Sequence, residues 1–170
     1  MNCGTSARSI DRALFVGPYD GAWGALVRML KFDREIAVAR YLGQRMADAL
    51  RAEGLAGGSD LVTFVPMSRR DRRERGFNQA ELLARAVARC IGCPTRRVLA
   101  KTVRTPPQGR LSAAARKRNL RGAFRPLRCE QGRVLLVDDI CTTGSTVEEC
   151  ALTLRRGGFQ SVTVLAVARA

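Results

Sequence analysis

The chain has 170 residues, a formal net charge of +15 and no histidine. Its hydrophobic fraction of 46% is enough to build a core and excludes a wholly disordered protein. The lack of histidine excludes every mechanism in which an imidazole acts as base or metal ligand, and no apolar run in the sequence is long enough for membrane insertion.

The basic surplus lies in one central segment. Residues 66–128 contain 18 basic and 3 acidic residues, a net charge of +15, so the rest of the chain is balanced. Arginine supplies 27 of the 30 basic residues, which partly reflects codon usage and is not by itself a sign of nucleic-acid binding. The position of the surplus predicts an anionic ligand near this segment.

The six cysteines favour a reducing compartment. No secretory signal precedes them, so we expect a cytoplasmic protein without a disulfide framework. Cys90 and Cys93 have CxxC spacing, but a zinc site would need two further ligands, and the sequence offers no second CxxC. We interpret the pair as two small apolar residues at the end of a helix.

The N-terminal part of the sequence shows little pattern. Residues 1–20 form a poorly patterned segment ahead of a single domain over residues 21–170. Apolar residues at helical spacing then predict two helices, over 21–31 with Asp20 as N-cap and over 36–53 with Asp33 as N-cap.

The middle of the sequence alternates between apolar and charged runs. The short apolar run 61–66 predicts a buried strand, and the charged run 68–76 predicts a loop. Asn78, with Glu81 three residues later, has the spacing of a capping box and predicts a helix that ends at Gly92.

The second half of the sequence continues this alternation. Residues 96–103 predict a strand, residues 104–111 are irregular because two prolines interrupt them, and residues 112–119 predict a short helix. The remaining elements are a strand over 132–139, a helix from Ser145 or Thr146 to Gly157, and a strand over 161–168. Apolar strands that alternate with helices predict an α/β fold with a parallel sheet and helices on both faces.

The segment 134–146 carries most of the chemistry. Its strand delivers Asp138 and Asp139 to the carboxyl end of the sheet, and a loop containing Gly144 leads into a helix. Ligands of open α/β sheets bind at this edge, and loop N–H groups beside a helix N-terminus attract phosphate. A phosphorylated sugar fits the pattern, since its phosphate can contact the loop while its hydroxyls donate to the carboxylates.

This segment closely resembles the motif that binds 5-phosphoribosyl-1-pyrophosphate (PRPP) in type I phosphoribosyltransferases, with Cys141 where an aliphatic residue is common. Residues 65–88, which include RGFNQ, and residues 104–124 resemble the ComF (competence protein F) family of phosphoribosyltransferase homologues, and residues 30–43 resemble it more weakly. The resemblance implies a type I phosphoribosyltransferase-like α/β fold with a mobile hood loop.

The N-terminus departs from the ComF pattern. Family members often carry an N-terminal zinc ribbon with paired CxxC motifs, whereas Cys3 is the only N-terminal cysteine here. Either the ribbon is missing or the start is truncated, and we predict no zinc.

The resemblance also implies roles for individual residues. Asp138 and Asp139 would be the catalytic pair, holding the ribose hydroxyls directly or through metal-bound water, and Mg²⁺ would be held mainly by PRPP, with no protein ligand assigned. The 5-phosphate would contact Cys141, Thr142, Thr143, Gly144, Ser145 and Thr146. Pyrophosphate would contact Ser68, Arg69, Arg70 and Arg75. The hood loop would contribute Lys101, Arg104 and Gln108.

Several basic residues have no assigned role. We interpret Arg72, Arg73, Arg96 and Arg97 as a solvated face, and the sequence does not decide the role of Arg116, Lys117 and Arg118.

Two functions remain open at this stage. The first is Mg²⁺-dependent transfer of a phosphoribosyl group from PRPP to an unknown acceptor, with release of pyrophosphate. The second is a non-catalytic module that senses PRPP or binds single-stranded DNA as part of the competence machinery. A hydrolase using the two aspartates as metal ligands is a third and weaker alternative. Phe77 and Phe124 are the only aromatic residues of the basic segment, so platforms for base stacking are scarce.

Overall fold

The computed structural model describes residues 9–33, 36–102 and 120–170. Helices and strands make up most of these residues. In chain order they are β1 (Arg12–Pro18), α1 (Ala22–Arg28) with a π-helical turn behind it (Met29–Asp33), α2 (Ile36–Ala52), β2 (Leu61–Phe64), α3 (Arg69–Arg75), α4 (Gln79–Ile91), β3 (Leu99–Lys101), β4 (Phe124–Pro126), β5 (Arg133–Cys141), α5 (Ser145–Arg156) and β6 (Ser161–Arg169). Within these ranges no helix is both long and apolar enough to cross a bilayer.

The predicted α/β class is confirmed by a parallel sheet. Its four strands lie in the order β1-β6-β5-β2, and every neighbouring pair is parallel. The central strands β5 and β6 are rich in valine, leucine and alanine and are buried over most of their length, as expected for strands covered on both faces. β3 and β4 form a separate antiparallel ribbon.

Two apolar layers cover the sheet. On one face α2 and α4 pack against β2, β5 and β6 through a core that includes Leu42, Met46, Leu83, Val87 and Val137. On the other face α5 and the β3–β4 ribbon build a second core, with Leu99, Phe124, Leu136, Cys150 and Leu154 among its members. The core therefore consists of three layers with the sheet in the middle.

The chain path creates a crevice at the carboxyl ends of β2 and β5. The connection that leaves β2 leads to α4 on one face of the sheet, whereas the connection that leaves β5 leads to α5 on the other face. Ligands of open α/β sheets bind where neighbouring connections part in this way.

Two features near the N-terminal end differ from the sequence predictions. Residues 12–18, for which the pattern predicted no element, form β1 and pair with β6 from Arg12↔Thr163 to Pro18↔Arg169. α1 begins behind Gly21 without a side-chain cap, so the prediction of Asp20 as N-cap is wrong. The strand was missed because β1 is an edge strand with only partial burial, which weakens its apolar signal.

The charged run 68–76 was predicted as a loop, which is also wrong. It forms the short helix α3, and Ser68 caps it by accepting a hydrogen bond from the Asp71 N–H at 3.1 Å. Gly76 ends the helix with a φ of 87°. None of its residues is buried, so the helix has no apolar stripe that periodicity could reveal.

The remaining sequence boundaries agree more closely with the structure. As predicted, Asn78 caps α4 by accepting a hydrogen bond from the Ala80 N–H at 3.1 Å. Glu81, the other residue of the predicted capping box, forms ion pairs with Arg85 and Arg72. The strand predicted over 96–103 is only three residues long and joins the ribbon rather than the parallel sheet. The irregular run predicted over 104–111 and the helix predicted over 112–119 lie outside the described residues.

The contact between α2 and α4 depends on the absence of a side chain at Gly43. A Cβ at this position would lie 2.3 Å from the Ala86 Cβ, far inside van der Waals contact. We expect Gly43→Ala to lower the free energy of unfolding by about 1–3 kcal/mol, measured by urea denaturation. Adding Ala86→Gly should recover part of the lost free energy of unfolding. If the double variant instead loses as much as the two single variants added together, this packing is contradicted.

Candidate functional site

The two aspartates of β5 stand at the crevice. Asp138 is 9% exposed, and Asp139 is more open. Each carboxylate accepts one bond from the next backbone N–H, at 2.9 Å from Asp139 and at 2.7 Å from Ile140. Burial, followed by the negative charge of Asp139, raises the pKa of Asp138 well above its ordinary value. The pair therefore favours a ligand that brings hydroxyl donors or positive charge.

The hydroxyl loop, residues 142–144, follows the end of β5 and leads into α5. Gly144 has a φ of 76°, and α5 begins at the next residue. The hydroxyls of Thr143 and Ser145 lie 3.1 Å apart, so they face the same small volume. The predicted 5-phosphate residues share one shallow cup with Asp138, which is lined by Asp138, Ile140, Cys141, Thr142, Thr143, Gly144, Ser145, Thr146 and Val147.

Cys141 differs from the other loop residues because its side chain belongs to the core. It is 8% exposed, and burial raises the pKa of its thiol. A buried, protonated thiol is a poor partner for phosphate, so Cys141 can contribute only its backbone to the cup.

The left-handed conformation of Gly144 gives a direct test of the loop. A Cβ here would meet open space, with the Cys141 Sγ 4.0 Å away, so the cost of Gly144→Ala is conformational rather than steric. We expect a loss of about 1 kcal/mol of unfolding free energy, measured by urea denaturation. Gly144→Asn should lose less, since asparagine tolerates this region better; equal losses for the two variants would contradict the assignment.

A basic groove of about 880 Å³ lies between α3 and the β3–β4 ribbon. Its basic side chains are Arg69, Arg70, Arg73, Arg97, Lys101 and Arg125. Ser68 and Thr102 add hydroxyls, and Glu74 lines the same groove and pairs with Arg70 at 2.6 Å. Desolvation lowers the pKa of Lys101, whose side chain is largely withdrawn from water. The groove concentrates positive charge in a partly enclosed space and therefore suits a multiply charged anion.

Electrostatics link the groove to the acidic pair. Burial is the main reason why the pKa of the Cys150 thiol is raised; the charge of Asp138 adds to the shift, and the charge of Lys101 opposes it. Asp138 and Lys101 therefore both lie within electrostatic range of one residue. α3 follows β2 and the hydroxyl loop follows β5, so the two halves of the site open at the same crevice.

The groove contains some of the residues predicted to contact pyrophosphate, and that prediction stays untested. Ser68, Arg69 and Arg70 line the groove, whereas Arg75 is not among the residues that line it. Arg73 and Arg97 are exposed, as predicted for a solvated face, but they also line the groove, and Arg125 was not predicted at all. Arg72 and Arg96 pair with Glu81 and Glu130 instead. Arg104 and Gln108 lie outside the described residues.

The CxxC cysteines lie away from this site. Cys90 is in the last turn of α4, and Cys93 follows the end of the helix. Both are free thiols; Cys90 contacts the Gln44 side chain, and Cys93 contacts the Ser59 carbonyl. Their position at a helix end agrees with the sequence interpretation.

The parallel sheet with a packed core on each face defines a three-layer α/β protein, and the relatives narrow this class. No protein-family model matches the chain. It is 39% identical over 165 residues to the DNA utilization protein YhgH of Salmonella typhi, covering 94% of this chain and 72% of that protein. It is 37% identical over 164 residues to the YhgH of Escherichia coli strain K12, with the same coverage. It is 34% identical over 184 residues to the Competence protein F of Haemophilus influenzae, covering 99% of this chain and 77% of the relative. The chain belongs to the ComF family.

Two solved structures resemble the chain over part of their length. One is the allosteric regulatory enzyme of purine biosynthesis, with 26% identity and a TM-score of 0.49, covering 75% of this chain. The other is the glutamine PRPP amidotransferase from B. subtilis, with 25% identity and a TM-score of 0.49, covering 74% of this chain. This chain spans 25% of each of those proteins.

Proposed function

We propose that this protein binds PRPP with Mg²⁺ and transfers its phosphoribosyl group to an acceptor, with release of pyrophosphate. The observation that carries the proposal is the continuous run from the end of β5 into α5, in which Asp138 and the hydroxyl loop line one cup. The basic groove opens at the same crevice and offers a place for the second anionic end of the ligand. The resemblance of residues 134–146 to the PRPP motif supports the same ligand.

The charge pattern sets the orientation of the ligand. The 5-phosphate lies in the cup, where loop N–H groups, hydroxyls and the N-terminus of α5 attract it. The ribose hydroxyls donate to Asp138 and Asp139, which as carboxylates are acceptors only. Pyrophosphate points towards the basic groove, where arginine forks match its oxygens. The acidic pair therefore lies between two anion sites, just as the ribose hydroxyls of PRPP lie between its 5-phosphate and its pyrophosphate.

The carboxylates of Asp138 and Asp139 fit Mg²⁺ if PRPP supplies most of the ligands of the ion. The described residues contain no group of three or more His, Cys, Asp or Glu side chains that could hold a metal by themselves. Two adjacent carboxylates beside a phosphate-rich substrate are the donors that Mg²⁺ commonly uses. Asp138 and Asp139 would hold the ion together with the ligand, and the ion would neutralise charge on the departing pyrophosphate.

The residues of the chain would act on the transfer by position and charge. The bond between the ribose C1 and the pyrophosphate oxygen breaks, and pyrophosphate leaves with the electron pair. A bond from the acceptor to C1 forms, and the acceptor proton passes to solvent. Arg69 and Lys101 stabilise charge that grows on the leaving group, and the carboxylates hold the sugar still while it becomes electron-poor.

The proposal is tested by calorimetry with PRPP and Mg²⁺, followed by a screen for pyrophosphate release with a panel of bases. Saturable binding and acceptor-dependent release are the expected results. No binding of PRPP would overturn the proposal, and release that no acceptor accelerates would reduce the activity to hydrolysis.

A second candidate function is binding of single-stranded DNA in DNA uptake. It is favoured by the groove, which holds six basic side chains where pyrophosphate needs only a few, and by the names of the relatives, DNA utilization protein and Competence protein F. The described lining of the groove contains no aromatic residue for base stacking, so contacts would be to phosphates. A titration of oligonucleotide binding against salt should then show a steep loss of affinity; a flat dependence would exclude this role.

A further inference from the structure

Glu149 is a buried acid whose contact links two parts of the site. It lies in the second turn of α5 and is 8% exposed. Its Oε1 accepts a hydrogen bond from the Gly122 N–H at 2.8 Å. A buried carboxylate needs such a donor, because desolvation without a partner is costly. Gly122 belongs to the short turn Leu120–Ala123 that leads directly into β4.

The same turn is held from the opposite side by the end of β3. The Thr102 N–H donates to the Ala123 carbonyl at 2.8 Å, and the Thr102 hydroxyl reaches the carbonyls of Gly122 and Ala123 at 3.4 and 3.3 Å. Both backbone groups of Gly122 are therefore bound, the carbonyl by the ribbon and the N–H by α5. Glu149 joins the ribbon to the helix at this point.

This link matters because the ribbon and the helix carry different halves of the site. Lys101 of β3 and Arg125 of β4 line the basic groove, whereas α5 follows immediately on the hydroxyl loop. The ribbon and α5 also share one apolar core, which includes Phe124 and Ala151. Apolar packing has little directional preference, whereas a short charge-assisted hydrogen bond fixes position.

We propose that Glu149 is a positioning residue that sets the distance between the two anion sites, an inference that rests on the proposed function. A ligand with two anionic ends gains affinity from both sites only if their separation matches its own length. In catalysis, a displacement of about 1 Å between groups that act together can lower the rate by about two orders of magnitude. The affinity of a ligand with one anionic end does not depend on the separation between the two sites.

The test compares one two-ended ligand with its two halves. Calorimetry with Mg²⁺ measures PRPP, ribose 5-phosphate and pyrophosphate on the wild type and on Glu149→Ala. We expect Glu149→Ala to weaken PRPP binding about tenfold or more, and to change each half-ligand by less than about twofold. Glu149→Gln keeps an Oε1 acceptor for the Gly122 N–H and should bind PRPP within about threefold of the wild type.

A matched control separates positioning from general loss of stability. Thr153 lies one turn further along α5, is 2% exposed, and donates to the Glu149 carbonyl at 2.8 Å. Thr153→Val loses this buried bond without touching the turn, so we expect a lower melting temperature and unchanged PRPP affinity. If Glu149→Ala does not fold, Glu149→Asp, which is one methylene too short for the bond, gives the same comparison.

Three outcomes would overturn the inference. Wild-type PRPP affinity in Glu149→Ala would show that the separation does not depend on this contact, and an equal loss for all three ligands would show a structural role only. A wild type that binds both half-ligands but gains nothing from joining them in PRPP would overturn the positioning role. A wild type that binds none of the three would overturn the proposed function itself.

Discussion

Asparagine in place of Asp139 should weaken the binding of PRPP with Mg²⁺ by about 10- to 100-fold, the range expected when a charge-assisted acceptor becomes neutral. The hydroxyls of the ribose would lose a carboxylate, and the metal would lose a negative neighbour. Combining Asp138→Asn with Asp139→Asn should abolish measurable binding. Calorimetry checks both, with Asp48→Asn as a control that matches the charge change of the single variant, since Asp48 lies on α2 and pairs with Arg45 and Arg51. Unaltered affinity in the double variant would remove the basis of the proposed site.

Asp138→Asn should also raise the stability of the ligand-free protein. The pKa of Asp138 is raised by burial and by the charge of Asp139, so the folded state holds this proton more tightly than the unfolded state. Stability is then lost as pH rises from the ordinary value of 3.8 towards the raised pKa. The variant lacks this loss, so its melting temperature should exceed that of the wild type at neutral pH and approach it in acid. A lower melting temperature at neutral pH would contradict the unfavourable charge inferred for Asp138.

Removal of charge from the basic groove should weaken one end of the ligand selectively. We expect Arg69→Ala combined with Lys101→Ala to reduce affinity for pyrophosphate and for PRPP by at least about tenfold, since each loses charge-assisted contacts. Affinity for ribose 5-phosphate should stay within about twofold of the wild type, because the cup is intact.

The control residues for this prediction lie on α3, the helix that carries Arg69. Arg72 pairs with Glu81, and Arg75 is not among the residues that line the groove, so alanine at either position should leave the affinity for PRPP nearly unchanged. Equal losses at Arg69 and Arg72 would indicate that only net charge matters and that the groove has no specific geometry. A loss confined to Arg75 would restore the assignment made from the sequence.

The features that could be predicted from the sequence are those that a short stretch of residues encodes. β5 was predictable because a strand buried on both faces needs a continuous apolar run, and Asp138 and Asp139 interrupt that run near its carboxyl end. α4 was predictable from Asn78, Gly92 and the apolar stripe between them. These signals are local, so a single sequence contains them completely.

The features that the sequence did not predict depend on distant contacts. Arg97 and Arg125 meet in the groove only because β3 and β4 pair, and nothing local marks either residue. α3 has no buried side chain, so its helical state rests on Ser68 and Gly76 at its ends rather than on periodicity. The link between Glu149 and Gly122 spans 27 positions, and an acid in a helix gives no sign of which backbone group it will meet. The roles of Arg104 and Gln108 remain predictions.

The pairing of β1 with β6 has a consequence for biosynthesis. Asp11, just ahead of β1, accepts a hydrogen bond from the Val162 N–H across 151 positions and holds Arg155 at 2.7 Å. β1 therefore has no partner until β6 has been translated, since 151 positions separate Asp11 from Val162. During that interval its apolar face is a target for chaperones or for a neighbouring nascent chain. Formation of the edge strand should be among the last folding events, because it must close the longest loop in the sheet.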